Sequence, residues 1–220
     1  MNIVKNIFSN FKFKRFFILL ILLILYTFVS AFYYSNAVCS DISDSVFRLH
    51  VIANSDSPAD QNLKYIVRDS IIDYMNEISS SATSKEEVLQ IAKSNISEIQ
   101  SIAINTVRKE GYDYSVNVEV GNFVFPKKTY GDITFPPGFY DALKVEIGEA
   151  KGQNWWCVMF PPLCFVDVTS GIVPDESKLK MQENLSQEEY KLISQESTNV
   201  KVKFKIVEVL QNFTISGIFM

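Results

Sequence analysis

Thirteen residues, GQNWWCVMFPPLC at 152–164, hold both tryptophans and two of the three cysteines of this 220-residue chain. A cysteine nucleophile needs a base within hydrogen-bond reach, and the sequence offers one histidine, His50. Cys157 or Cys164 with His50 is therefore the conventional Cys–His pair to weigh. His50 lies among apolar neighbours in VFRLHVIA, where a lone histidine more often packs or hydrogen-bonds than catalyses, so no catalytic residue is assigned. A structural zinc site wants four Cys or His ligands at close spacing. Three cysteines and one histidine scattered from 39 to 164 lack that spacing, so neither metal nor cofactor is expected.

Cys157 and Cys164 enclose six residues that include Pro161 and Pro162, which favour a turn. A local disulfide, stabilising by a little under about 3 kcal/mol, is the economical reading, and two buried free thiols are its alternative. Trp155 and Trp156 are adjacent, and adjacent strand residues point to opposite faces. One indole is expected in the core, and the other covers a helix or meets a partner. A second polar stretch, NSDSPADQNLKYIVRDS, carries Asn54, Ser55, Asp56, Asp60, Gln61, Lys64, Arg68 and Asp69. Helical spacing aligns Asp60, Lys64 and Arg68, which reads as a capped, solvated face.

The elements that position these residues follow from periodicity. VFRLHVIA at 46–53 alternates as a half-buried strand. Ser57, Pro58 and Asp60 form an N-cap signature with Asp in the place of Glu, opening a helix over about 58–79. Ser84 and Glu87 open a second long helix that ends at Gly111. YSVNVEV, the dipeptide Gly121–Asn122 and FVFPKKT read as a hairpin, with Pro126 at a sheet edge or end. Residues 140–150 and 155–160 read as two strands joined into another hairpin by KGQN. Helix-prone sequence over 174–196 leads to an alternating stretch, KVKFKIVEV, and an apolar tail at 211–220. The expected fold is α+β, with two long helices packed on a largely antiparallel sheet.

Ahead of this domain, Lys5, Lys12, Lys14 and Arg15 precede an uncharged run from Phe16 to Phe32. Its length of roughly 25 Å fits either a signal-peptide core or a short membrane anchor, and Ala31 and Ala37 end possible cleavage sites. The chain divides into a basic cytoplasmic segment (1–15), the signal or anchor (16–32), a linker (33–45), a single extracytoplasmic domain (46–210) and the tail. The basic residues place the N-terminus in the cytoplasm. The exported part carries seventeen Lys and Arg against twenty-five Asp and Glu, a formal charge of −8, which argues against nucleic acid or an anionic membrane surface as its partner. Cys39 follows Asn36, Ala37 and Val38, a poor context for lipidation.

FRLHVIANSDSPADQNLKYIVRD at 47–69 and GQNWWCVMFPPLCFVD at 152–167, behind an export segment, resemble the stage II sporulation protein R family. The resemblance spans most of the exported region and includes KVKFKIVEV. It implies a signalling protein, secreted or held by its N-terminal segment in the membrane, facing the space between forespore and mother cell. Its implied partner is the extracytoplasmic part of a polytopic sporulation protease that processes a sigma-factor precursor. Signature positions carried over are Arg48, His50, Asn54, Ser55, Asp56, Asp60, Gln61, Arg68, Asp69, Asn154, Trp155, Trp156, Cys157, Pro161, Pro162 and Cys164. Of these, Asn154, Trp155, Trp156, Pro161, Pro162, Asn54, Ser55, Asp56 and Arg68 are the candidate partner-binding residues. The competing expectations are an exported hydrolase acting on cell wall or a small molecule, and an exported protein whose Trp–Cys block is only core.

Overall fold

The computed structural model describes residues 11–164 and 173–194. The late KVKFKIVEV stretch and the apolar tail lie outside the described residues. Helix α1 (Phe11–Asp44) runs without a break through most of the expected linker. Its segment Phe13–Tyr33 is long and apolar enough to cross a membrane, a property that signal sequences share. Ile42 near the end of α1 is buried, and α1 packs against the sheet at β5 (Gly138–Ile147).

Strand β1 (Phe47–Ile52) follows. Helix α2 (Pro58–Ile78) begins where the cap signature predicts, with the Ser57 hydroxyl accepting from the Asp60 amide at 3.1 Å. The second expected helix is two, α3 (Lys85–Ser94) and α4 (Ile96–Lys109), divided at Asn95. The Asn95 side-chain amide donates back to the Ile91 carbonyl at 2.8 Å, the type of local bond that competes with a continuing helix. Gly111 adopts φ +85, and the next amide, Tyr112, bonds the Val107 carbonyl across the helix end.

Both expected hairpins are corrected. Strand β2 (Val116–Phe125) passes straight through Gly121 and Asn122, which pair with Ala142 and Asp141 of β5. The Asn122 amide also donates to the Asp141 carboxylate at 3.1 Å, so a ten-residue partner strand overrides the local turn preference. The chain turns instead at Pro126 and forms a small hairpin from β3 (Lys128–Tyr130) and β4 (Ile133–Phe135). Strands β5 and β6 (Asn154–Phe160) are not partners, because β1 lies between them in the order β2-β5-β1-β6. β1 runs parallel to β5 and antiparallel to β6. Helices α5 (Asp175–Asn184) and α6 (Gln187–Ile193) close the described chain, the second opened by a full capping box between Ser186 and Glu189.

This order makes β1 a central strand, and it is buried on both faces rather than half-buried. On one face Leu49 and Val51 meet Leu63, Val67 and Ile71 of α2 in the core that α4 extends through Ile99, Ala103 and Val107. On the other face Arg48 and His50 lie among Phe125, Tyr130, Phe135 and Tyr140. The fold is α+β.

Ser57→Ala removes the side-chain acceptor at the start of α2. Chemical denaturation of the variant is expected to show a loss of about 1 kcal/mol with an unchanged denaturant slope.

Candidate functional site

The NSDSP turn is built into the fold. Asp60 is buried and accepts from the Ser55 hydroxyl at 2.5 Å and from the Asn54 amide at 2.9 Å. Burial alone would raise its pKa, but these bonds to the ionised form outweigh it and hold the carboxyl below its ordinary value. The Asn54 side-chain Oδ1 accepts from the Glu149 backbone amide at 2.9 Å, and the Gln61 side-chain amide donates to the Ser55 carbonyl at 2.8 Å. The β5–β6 connection closes over the turn through Lys151 N to Asn54 O and Gly152 N to Ala53 O. Gly148 has φ +58, and a Cβ there would collide with the Asn54 side chain; at Gly152 it would collide with the Ser55 carbonyl. Asn54 and Ser55 therefore hold two segments together, whereas Asp56 is exposed.

Lys64 overturns the expected solvated face. It is 1% exposed, and its ammonium donates to the Gln61 side chain at 2.6 Å and the Gln153 carbonyl at 3.2 Å. Burial lowers its pKa. The periodic pattern of α2 marks this face as polar, and nothing in that pattern shows that residues 148–153 fold over it.

The tryptophans separate as strand alternation requires. Trp156 pairs with His50 and stacks on its ring, with centroids 3.6 Å apart and planes at 18°, and it meets Phe125 edge-on at 4.7 Å. Trp155 turns to the helix side. There the Arg68 guanidinium lies 4.3 Å from its ring centroid and Tyr65 meets it edge-on at 5.5 Å. Arg68 also pairs with Asp69, and Tyr65 is 38% exposed. The Trp155 indole N–H is buried without a hydrogen-bond partner. The sequence flagged Arg68 and Trp155 separately; the apolar stripe of α2 gave no sign that Tyr65 joins them.

Cys157 and Cys164 are joined in a disulfide, with Cα atoms 5.1 Å apart. The corner is tightened by Leu163 N donating to the Val158 carbonyl, and the Phe160–Pro161 bond is cis. Pro161 is buried and Pro162 partly so. They border a cleft of about 790 Å³ between the end of α2, the start of α3 and α5. Six positions of strand, roughly 20 Å, lie between Trp155 and Pro161. The Trp pair and the Pro pair thus mark opposite ends of β6 rather than one corner.

The Cys157–His50 pair does not assemble. Cys157 is opposite Leu49 and faces the helices, while His50 is opposite Trp156 on the other face, and the thiol is committed to the disulfide. His50 Nε2 instead meets the Asn154 side-chain oxygen at 2.6 Å. Burial holds its pKa below the usual imidazole value, with Lys144 adding to the effect and the Asn154 bond opposing it. The ring is neutral at pH 7. Among the described residues no group of three or more His, Cys, Asp or Glu is placed to hold a metal ion.

Two measurements test these roles. Because the folded imidazole binds its proton less readily than the unfolded one, stability from His50 is full above about pH 6.5. It is lost as pH falls toward the lower folded value, and His50→Gln is expected to flatten the stability profile across that window. Gly152→Ala, which drives a Cβ into the Ser55 carbonyl, is expected to destabilise by about 1–3 kcal/mol, measured by thermal or urea unfolding.

Residues 43–170 match the family model for stage II sporulation protein R. The chain is 40% identical over 139 residues to stage II sporulation protein R of Bacillus subtilis (strain 168). That alignment covers 63% of this chain and 62% of the relative, so the chain spans less than two thirds of the relative's length. No solved structure matches. The family match takes in the NSDSP turn, the six strands of the described residues and the disulfide corner, and the chain belongs to the stage II sporulation protein R family.

Proposed function

We propose that this protein is an exported or membrane-held sporulation signal. In this reading it binds the extracytoplasmic part of a polytopic protease and thereby triggers processing of a sigma-factor precursor. The observation that carries the proposal is membership of a sporulation family in a chain whose N-terminal helix is long and apolar enough to cross a membrane. The separation of Cys157 from His50 by the sheet supports a binding role over a cysteine hydrolase.

The surface best suited to contact is the Trp155–Arg68–Tyr65 cluster; Asn154 is turned to His50 on the other face of the sheet. The cluster joins an aromatic platform to a guanidinium, the side-chain types that dominate binding hot spots. Arg68 is held over the indole before any partner arrives, so less ordering entropy opposes binding. A ligand shifts a protease toward its active state only if it binds that state more tightly, so a rigid platform is the useful form of this surface. Trp156, Asn54 and Ser55 act in this reading by holding the platform in place.

The experiment is precursor processing in cells that make the protease, with each variant checked for folding and export. Trp155→Ala and Arg68→Ala are each expected to lower processing at least tenfold while the protein still folds. Trp156→Ala is expected to lower folded protein and processing together, because it opens the His50–Phe125 stack. Wild-type processing by a folded Trp155→Ala, Arg68→Ala double variant excludes this surface as the contact.

A further inference from the structure

The end of the sheet at which α1 joins the domain carries an unpartnered apolar pair. Val124 near the end of β2 and Phe139 at the start of β5 are directly opposed in the strand register. They are 62% and 65% exposed, the largest exposures of any large apolar residue outside α1 among the described residues. β1 leaves α1 running parallel to β5, with Arg48 level with Ala142, and α1 packs on β5. The start of β5 and the end of β2 therefore lie at the α1 end of the domain.

The turn that follows Val124 adds Lys127 and Lys128, and neither forms an ion pair among the described residues. Nearby carboxylates are partly engaged: Asp141 pairs with Lys85 at 2.6 Å and Asp132 with Lys178 at 2.6 Å. Exposed apolar side chains flanked by free lysines match the boundary between acyl chains and phosphate headgroups. From Tyr33 to Asp44 the helix rises about 16 Å, and headgroups take up several ångströms of that distance on each side of the hydrocarbon. Helix tilt and lysine reach span the remainder. The formal charge of −8 outside the N-terminal segment opposes a broad approach to an anionic surface, which confines contact to this one basic corner.

We propose that Val124, Phe139, Lys127 and Lys128 form a second membrane contact, a tip that rests on the phospholipid surface beside the α1 span and fixes the orientation of the domain. It rests on retention of α1 and is independent of the protease reading.

The test uses the full chain with Cys39→Ser, reconstituted in bilayers of phosphatidylglycerol and phosphatidylethanolamine. An environment-sensitive fluorophore is attached at Phe139→Cys or, as a control at the opposite end of the sheet, at Glu110→Cys. Quenching by headgroup-region spin-labelled lipid is expected to be at least threefold stronger at 139 than at 110. It should fall to the control level when Val124→Ser, Lys127→Glu and Lys128→Glu are added, with circular dichroism unchanged. Equal quenching at 139 and 110 overturns the proposal. A blue-shifted but unquenched probe at 139 also overturns it, because the pair is then covered by protein, either the chain's own 195–220 segment or a second copy.

Discussion

A guanidinium with no carboxylate partner among the described residues sits at the centre of the sheet. Arg48 is 0% exposed, its Nη2 donates to the Tyr130 hydroxyl at 2.9 Å, and its Nε and Nη1 have no hydrogen-bond partner among the described residues. Burial lowers its pKa, with Tyr130 and Tyr140 opposing the shift. An unsatisfied buried N–H costs about 1–3 kcal/mol, so the site must recover energy from elsewhere. It does so with aromatic rings: the guanidinium carbon lies 4.1 Å from the Phe125 centroid, 4.7 Å from Tyr140 and 5.6 Å from Phe135. Desolvated cation–π contacts reach about 2 kcal/mol each. Much of the lower face of the molecule follows from this need. The small β3–β4 hairpin supplies Tyr130 and Phe135, and Tyr130 passes the connection on by donating to the Trp156 carbonyl at 2.9 Å.

That relay also shields β6, which pairs only with β1 among the described strands. The carbonyls of Trp156 and Val158 are taken by Tyr130 and Leu163, so a foreign strand finds two of its acceptors already occupied. Edge strands invite unwanted pairing unless they are blocked in this way. What β6 then offers at its surface is side chains, among them Trp155, which is partly buried against Arg68 and Tyr65 of α2.

Local chemistry was readable from the sequence, and long-range neighbours were not. The Ser57 cap, the α2 stripe, the end of α4 at Gly111 and the alternation of β1 all depend on residues a few positions apart. Gly121–Asn122 was misread because turn preference is weaker than ten residues of pairing with β5. KGQN was misread because no local pattern shows that β1 slides between β5 and β6. The same insertion explains the candidate site. It sends Cys157 and His50 to opposite faces, and it carries residues 148–153 over Asn54, Ser55 and Lys64. The opposed faces of Trp155 and Trp156 were legible from alternation alone; their particular neighbours, Arg68 with Tyr65 and His50 with Phe125, required the fold.

The central place of β1 has a consequence for the order in which the molecule comes into being. The chain is made from its N-terminus, so β1 is the first strand to emerge, yet its neighbours on either side, β5 and β6, are the last two strands of the sheet among the described residues. Until they arrive, α2, α3 and α4 have no sheet to cover, and β2 has no partner strand to hold Phe125 beside Arg48. Such non-local pairing slows folding because long loops must close before contacts reward them. The domain thus remains a threadable chain until about residue 160 is available, and the disulfide corner at 157–164 seals it at the end. In the exported reading proposed above, a keystone that is laid first and locked last suits a chain that is threaded before it takes shape.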